Sequence, residues 1–328
     1  MAVEPGLRIV DEDADGVDKA FRDDVLAGLA QRQKAVPARW FYDERGSQLF
    51  EEITRLAEYY PTRAEAEILE RHAPDFAAEV GGGHAVVEFG SGSSAKTPLL
   101  LRAIAPAAYV PIDISGDFLR ESAAALAADF PGLPVLPVEA DFMKPVPLPP
   151  EVADMPKLGF FPGSTIGNLV PPTAVDLLRS MGRTLGLGTE LLIGMDRIKD
   201  PATLTAAYDD PAGVTAAFDI NLIDRINREL GGDIPRDAFV HEARWNAELA
   251  RIEMHLVATR DLRFSVAGRE FAMAPGETIH TENSHKYDRH SATMMLLAGG
   301  WTPRRWFTDR AQRFMLVLAQ ATEPRTAP

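Results

Sequence analysis

The sequence predicts an α/β protein: a doubly wound, mostly parallel sheet interrupted by an inserted α+β subdomain. Two observations carry this reading. From residue 84 to 196 short β-branched runs alternate with amphipathic helical patterns, which is how a parallel sheet covered by helices is written in sequence. After Asp196 that alternation stops, and strand patterns of the first kind return only near the C-terminal end.

In order, the strands of the sheet are read in "HAVVEFG", "AAYVPID", "LPVLPVEA", "KLGFFPG" and "TELLIGMD". The helices between them are read in "AKTPLLLRAIA", "GDFLRESAAALAADF" and "TAVDLLRSMGRTL". Residues 197 to 230 read as helical, and the stretch from "AFVHEARW" to "GREFAM" alternates polar and apolar as antiparallel strands do. A helix in "SATMMLLA" ends at Gly299 and Gly300, a C-cap pair, and "WTPRRWF" and "RFMLVLAQA" supply two last strands. The expected division is a core of 62–196 and 287–328, with a second domain of 1–61 and 197–286. The tail "TEPRTAP" is expected to fray.

Composition narrows the function. Thirty-four basic against 48 acidic residues give a net charge of −14, a poor match to phosphate backbones or anionic lipid. A small-molecule ligand is expected instead, with no nucleic-acid, membrane or obligate protein partner. There is no cysteine, which excludes disulfides and thiolate chemistry. The sequence shows neither an N-terminal apolar segment nor an 18-residue apolar run, so the expected location is the cytoplasm.

"VVEFGSGSSAKT" places an acid, Glu88, at a strand end, then glycines at 90 and 92, then a helix start. With Ala95 the spacing fits G-x-G-x-x-A, the pattern of a dinucleotide site, although a tight turn with no ligand reads the same way. Asp113 ends the second strand 23 residues past the first glycine, where a ribose-binding carboxylate belongs. Asp141, followed by Phe142, ends the third. Each acid alone also suits a turn or helix cap. Together, polar groups at three successive strand ends suit S-adenosylmethionine. Its sulfonium and amine favour acidic neighbours such as Glu88, whereas a pyrophosphate does not.

"GETIHTENSHKYDRH" holds His280, His285 and His290, three of the chain's seven histidines. A spacing of five does not gather three ligands on one helical face, and no cysteine assists, so no metal site is expected.

Several segments together resemble the histidine-specific Nα-methyltransferases of ergothioneine biosynthesis: "RWFYDERGSQLFEEITRLAEYYPTRAE", "VVEFGSGSSAKT", "YVPIDISGDFLRES", "FFPGSTIGNL", "AYDDPAGVTAAFDINLI" and "IHTENSHKY". They span residues 39 to 287. The resemblance implies a Rossmann-like, seven-stranded methyltransferase core with an inserted α+β substrate-binding subdomain. It also implies S-adenosylmethionine-dependent trimethylation of L-histidine to hercynine, the first step of ergothioneine biosynthesis. Tyr59, Gly163, Asn168, Tyr208, Glu282 and Ser284 correspond to substrate residues, and Tyr42 to a further pocket aromatic.

On this reading Glu282 accepts the imidazole N–H and Ser284 pairs with the other ring nitrogen. The three histidines are then surface or supporting groups. Asn168 and Tyr42 are the expected catalytic residues, the first orienting the amine and the second facing the growing ammonium through its ring. Glu88, Gly90, Gly92, Lys96, Asp113, Asp141 and Phe142 are the expected cofactor residues. The alternatives are an Nα-methyltransferase for another aromatic amino acid and, further off, an NAD-linked oxidoreductase or a non-catalytic binding module.

Overall fold

The structure, a computed structural model, describes residues 18–92, 96–114 and 116–322. Ala95 and all but the first residue of the C-terminal tail lie outside them. The chain divides into two compact units, one taking the chain up to Tyr60 with Lys199–Ser284, the other Pro61–Ile198 with the chain from His285. No helix among the described residues is long and apolar enough to cross a membrane.

The chain opens in unit 1 with α1 (Lys19–Leu29), β1 (Lys34–Ala35), a 3₁₀ turn (Ala38–Phe41) and α2 (Glu44–Arg55). Unit 2 follows with α3 (Pro61–Arg71), α4 (Ala73–Val80), β2 (Ala85–Phe89), α5 (Thr97–Ile104), β3 (Ala108–Asp113), α6 (Gly116–Asp129) and β4 (Val138–Glu139). It continues through β5 (Lys157–Phe161), α7 (Pro171–Leu185) and β6 (Glu190–Asp196). The chain returns to unit 1 for α8 (Pro201–Ala206), α9 (Val214–Leu230) and β7 (Phe239–Asn246), then β8 (Arg251–Ala258), β9 (Leu262–Val266), β10 (Arg269–Met273) and β11 (Thr278–His285). Unit 2 is completed by α10 (Arg289–Ala298), β12 (Trp301–Thr308) and β13 (Phe314–Ala321).

Unit 2 holds a seven-stranded sheet of order β12-β13-β6-β5-β2-β3-β4. β13 pairs antiparallel with both neighbours and the remaining pairs are parallel. Central strands covered by helices on both faces are apolar throughout. β2 is accordingly buried at all five positions. Trp301 is sealed in the core and donates its indole N–H to the Leu178 carbonyl at 2.9 Å, tying β12 to α7.

One expected strand is much reduced. "LPVLPVEA" forms only the two-residue β4 and an isolated bridge at Val135, because Pro134 and Pro137 lack the N–H groups a ladder needs. Asp141 therefore lies two residues beyond the strand that it was expected to end.

Unit 1 pairs β1-β11-β8-β7 in one sheet and β9 with β10 in a hairpin. Asp43 caps α2 by accepting from Gly46 N–H at 2.7 Å, and it also accepts from Asn221 and Arg228 of α9. This single carboxylate ties the N-terminal segment to the insertion.

Strand order in unit 2 reverses between β2 and β5, and at such a switch point the carboxyl ends of the strands leave a crevice. The β2 turn there is held from below. Glu88, 1% exposed, accepts from the Thr97 hydroxyl at 2.7 and 3.0 Å and from the Tyr109 hydroxyl at 2.6 Å. Burial pushes its carboxyl up to about 7, against the pull of those hydrogen bonds and of Lys96.

Two tests follow from this packing. A Cβ at Gly194 would come within 2.4 Å of the Glu65 carboxylate and 3.2 Å of the Gly163 nitrogen, so Gly194→Ala is expected to cost about 1–3 kcal/mol in urea unfolding. An unchanged midpoint would show that Glu65 is not confined there. For Glu88, the folded carboxyl keeps its proton between its ordinary 4.5 and about 7 while the unfolded one loses it, so this group removes stability as pH rises through that window. The melting temperature of Glu88→Gln, minus that of the native protein, should therefore climb from pH 4.5 to 7 and level off above. A flat difference would contradict a raised Glu88.

Candidate active site

Unit 2 brings most of the expected cofactor residues to the carboxyl edge of the sheet. Gly90 and Gly92 have φ of +69° and +47°, which glycine adopts without strain. A Cβ at Gly92 would meet nothing within 4 Å among the described residues, and one at Gly90 would touch the Phe142 ring at 3.4 Å. Gly92 N–H donates to Asp113 at 3.1 Å, which sets that carboxylate beside the turn at the end of β3. Asp141 accepts from Met143 N–H at 3.0 Å and so closes the turn that presents Phe142. The Phe142 ring lies edge-on to Phe89 and Phe161. A glycine turn, a carboxylate beside it and an aromatic ring next to both suit a nucleoside carrying a charged amino-acid arm.

Two expected cofactor residues sit differently from the sequence reading. Glu88 lies beneath the turn with both oxygens taken by Thr97 and Tyr109. With 1% of its surface open it supports the turn and is not offered to a ligand's amine. Lys96 forms an ion pair with Glu65, whose side chain is fully buried.

The same Glu65 accepts the Gly163 N–H at 2.9 and 3.1 Å, joining α3, the β2 turn and the β5 turn at one carboxylate. The β5 turn is tight. Ser164 is left-handed at φ +58°, and its hydroxyl accepts from Asp196 N–H at 2.8 Å. A Cβ on Gly167 would come within 2.8 Å of the His285 carbonyl. Asn168 ends this 3₁₀ turn, seven residues past β5, half-buried. Nearby Lys286 and Asp196 pair at 2.8 Å with side chains 0% and 1% exposed.

Unit 1 gathers the expected substrate residues. The Tyr208 and Ser284 hydroxyls are 2.7 Å apart, and Glu282, two positions earlier in β11, is 9% exposed. Tyr59 stands edge-on to Tyr208 with ring centres 6.1 Å apart, and Phe50 links Tyr59 to Tyr42 at 6.2 and 5.6 Å. Phe218 packs against Tyr42 and Phe50 from α9. Tyr42 is 39% exposed, yet its phenol is held well above the usual range, first by the protein packed around it and then by the Glu282 charge and the hydroxyls of Tyr59 and Tyr208. Carboxylate and hydroxyls on one side and aromatic rings on the other suit a flat, hydrogen-bonding ring with a cationic neighbour.

The histidines divide three ways. His290 is exposed. His280 donates from Nε2 to the Glu282 carbonyl at 3.0 Å and so steadies β11. His285, 7% exposed, is buried. Glu253, His255 and His280 bring atoms able to bind a metal within 4.8 Å of one another. The two rings stack at 4.7 Å and 22°, and Glu253 pairs with Arg251 at 2.6 Å and with His255 at 3.3 Å, so contacts within the cluster account for its closeness.

Glu65, Phe50, Phe218 and the Lys286–Asp196 pair were not singled out from sequence. Phe50 and Phe218 stand within the stretches "GSQLFEEI" and "GVTAAFDINLI" that carry the family resemblance, where an unassigned aromatic was the available signal. Glu65 and Lys286 also stand within such stretches, "EYYPTRAE" and "IHTENSHKY", but isolated charged residues read as surface.

Comparison with known proteins agrees with this geometry. Residues 21–321 match the family model described as histidine-specific methyltransferase, SAM-dependent. The histidine N-alpha-methyltransferase of Mycolicibacterium smegmatis is 42% identical over 312 residues, covering 93% of this chain and 96% of that protein. That of Mycobacterium tuberculosis is 41% identical over 310 residues, covering 92% and 94%. More distant is the 4-dimethylallyltryptophan N-methyltransferase of Claviceps purpurea, 23% identical over 321 residues and covering 90% and 93%. With its α/β core, its seven-stranded mixed sheet and a family match over nearly its whole length, the chain belongs to the S-adenosylmethionine-dependent histidine-specific methyltransferases.

Proposed function

We propose that this protein transfers three methyl groups to the α-amine of L-histidine, giving hercynine, as the first step of ergothioneine biosynthesis. The observation that supports the choice of substrate is the buried set of Glu282, Ser284 and Tyr208 in unit 1. Glu282 accepts the imidazole N–H. Ser284, whose hydroxyl pairs with that of Tyr208, is assigned to the other ring nitrogen.

S-adenosylmethionine supplies a methyl group made electrophilic by its sulfonium. Gly90, Gly92, Asp113 and Phe142 are the residues assigned to hold it, Asp113 on the ribose hydroxyls and Phe142 against adenine. Lys96 and Asp141 are assigned to the same ligand through the groups they expose beside these turns. The protein's contribution to the displacement is positional, because an aligned nucleophile and a good leaving group leave little for acid or base catalysis. Asn168 and the Gly163 backbone are assigned to orient the amine and carboxylate, and the Tyr42 and Tyr59 rings to stabilise the charge that grows on nitrogen. Pro61–Ile198 with the chain from His285 is read as the cofactor-binding unit, and the remainder as the substrate-binding unit. A chain without cysteine suits a reducing compartment, and the cytoplasm is the proposed location.

The Claviceps relative and the Tyr42, Phe50 and Tyr59 rings favour one alternative, an aromatic amino acid other than histidine. Mass spectrometry of the products formed from histidine, phenylalanine and tryptophan decides between them. The native protein should trimethylate histidine and discriminate against both others by up to roughly 10⁴-fold, because a site built for a hydrogen-bonding ring is left unpaired by them. Glu282→Ala should raise KM for histidine and narrow that gap while still binding adenosylhomocysteine. Equal turnover of tryptophan by the native protein, or undiminished preference in the variant, would transfer the assignment to the alternative.

A further inference from the structure

Unit 1 contains a buried ion pair that the proposed chemistry does not use. His241, in β7, has a side chain 1% exposed. Its Nδ1 lies 2.7 Å from the Asp219 carboxylate of α9, and its Nε2 lies 2.8 Å from the Tyr208 carbonyl. A carbonyl has no proton to give, so Nε2 must donate. An ionised carboxylate likewise only accepts, so Nδ1 donates as well, and the ring is an imidazolium.

The surroundings agree with that state. Burial opposes the charge, but the hydrogen bond and charge of Asp219, helped by the Tyr208 carbonyl and Asp209, raise the imidazole above its ordinary range. Asp219 is fully buried, and its second oxygen has no hydrogen-bond partner among the described residues. His241 is thus its chief compensation, and a buried charge-assisted pair holds its geometry strongly.

What the pair holds is the segment between α8 and α9. Tyr208 lies there outside any ladder, with its N–H on Thr205, its carbonyl on His241 and its hydroxyl on Ser284. We propose that His241 is a positioning residue for substrate binding: its imidazolium, anchored on Asp219, clamps the Tyr208 backbone so that the Tyr208 hydroxyl meets Ser284 in the register that reads the substrate ring. This rests on the reading of Tyr208 and Ser284 as substrate residues.

Asparagine and glutamine separate the two halves of the clamp. The amide of Asn reaches roughly where Nδ1 stands and can serve Asp219 only, whereas that of Gln reaches roughly where Nε2 stands and can serve the Tyr208 carbonyl. His241→Asn should raise KM for histidine about tenfold or more, with a smaller change in kcat and unchanged adenosylhomocysteine affinity. His241→Gln should return KM to within about threefold of native. If the pair were only structural, the order would reverse, or KM would hold in both variants while the melting temperature fell, and the proposal would be overturned.

Tyr208→Phe is the control for the underlying reading. If it raises KM while His241→Asn does not, the clamp is wrong and the substrate reading stands. If it leaves KM unchanged, Tyr208 is not a substrate residue and both fail. Should the Asn variant not fold, ¹⁵N spectra of the native protein decide. A doubly protonated His241 ring whose Nε2 signal shifts on histidine binding supports the clamp, and a neutral or unresponsive ring overturns it.

Discussion

The hydrogen bond between the Tyr208 and Ser284 hydroxyls is the interaction on which the proposed substrate site in unit 1 depends. It joins β11 to a segment that shares no backbone ladder with it, at 2.7 Å and out of solvent. A neutral pair of this kind contributes only about 0.5–1.5 kcal/mol net, too little to fix a loop alone. The neighbouring bonds share the task. His241 grips the Tyr208 carbonyl, and His280 grips the Glu282 carbonyl two positions before Ser284. Both segments are thereby held through their main chain as well as through the hydroxyl pair.

Unit 2 solves the corresponding problem with carboxylates. The segments assigned to its candidate site are the turns after β2 and β5, which run beyond the regular ladders and keep bonds to β3 and β6. Glu65 draws the Gly163 N–H and the Lys96 ammonium to one buried point, and Glu88 holds the base of the glycine turn through Thr97 and Tyr109. Both acids are placed where a leftover unpaired charge would be expensive. Glycines supply the remaining freedom, since Gly167 passes the His285 carbonyl and Gly194 passes Glu65 more closely than a Cβ permits.

Much of this was legible in the sequence. The strand-helix alternation foretold the sheet, and Gly90, Gly92 and Asp113 lie at its carboxyl edge as read, because parallel strands put such residues there by topology. "LPVLPVEA" misled because β-branched residues outweighed two prolines in the reading, while in the sheet the missing N–H groups decide. The polar run around Glu282 did not announce itself as a strand, since a buried strand that carries a binding wall lacks the apolar alternation by which strands are recognised. Glu65, Asp219 and His241 were invisible for a related reason. Each gains its meaning from a partner tens of residues away, and nothing local distinguishes a buried charge from an exposed one.

The central claim is that two ring nitrogens are read at once, by Glu282 and Ser284. Calorimetric titration of the adenosylhomocysteine complex with L-histidine and with its two ring-N-methylated isomers tests this directly, since each isomer blocks one nitrogen and leaves the amino-acid end intact. The account predicts that both isomers bind at least about tenfold more weakly than histidine, as expected when a buried polar group loses its partner. Binding of either isomer within about twofold of histidine would show that the corresponding nitrogen is not read, and would contradict the account.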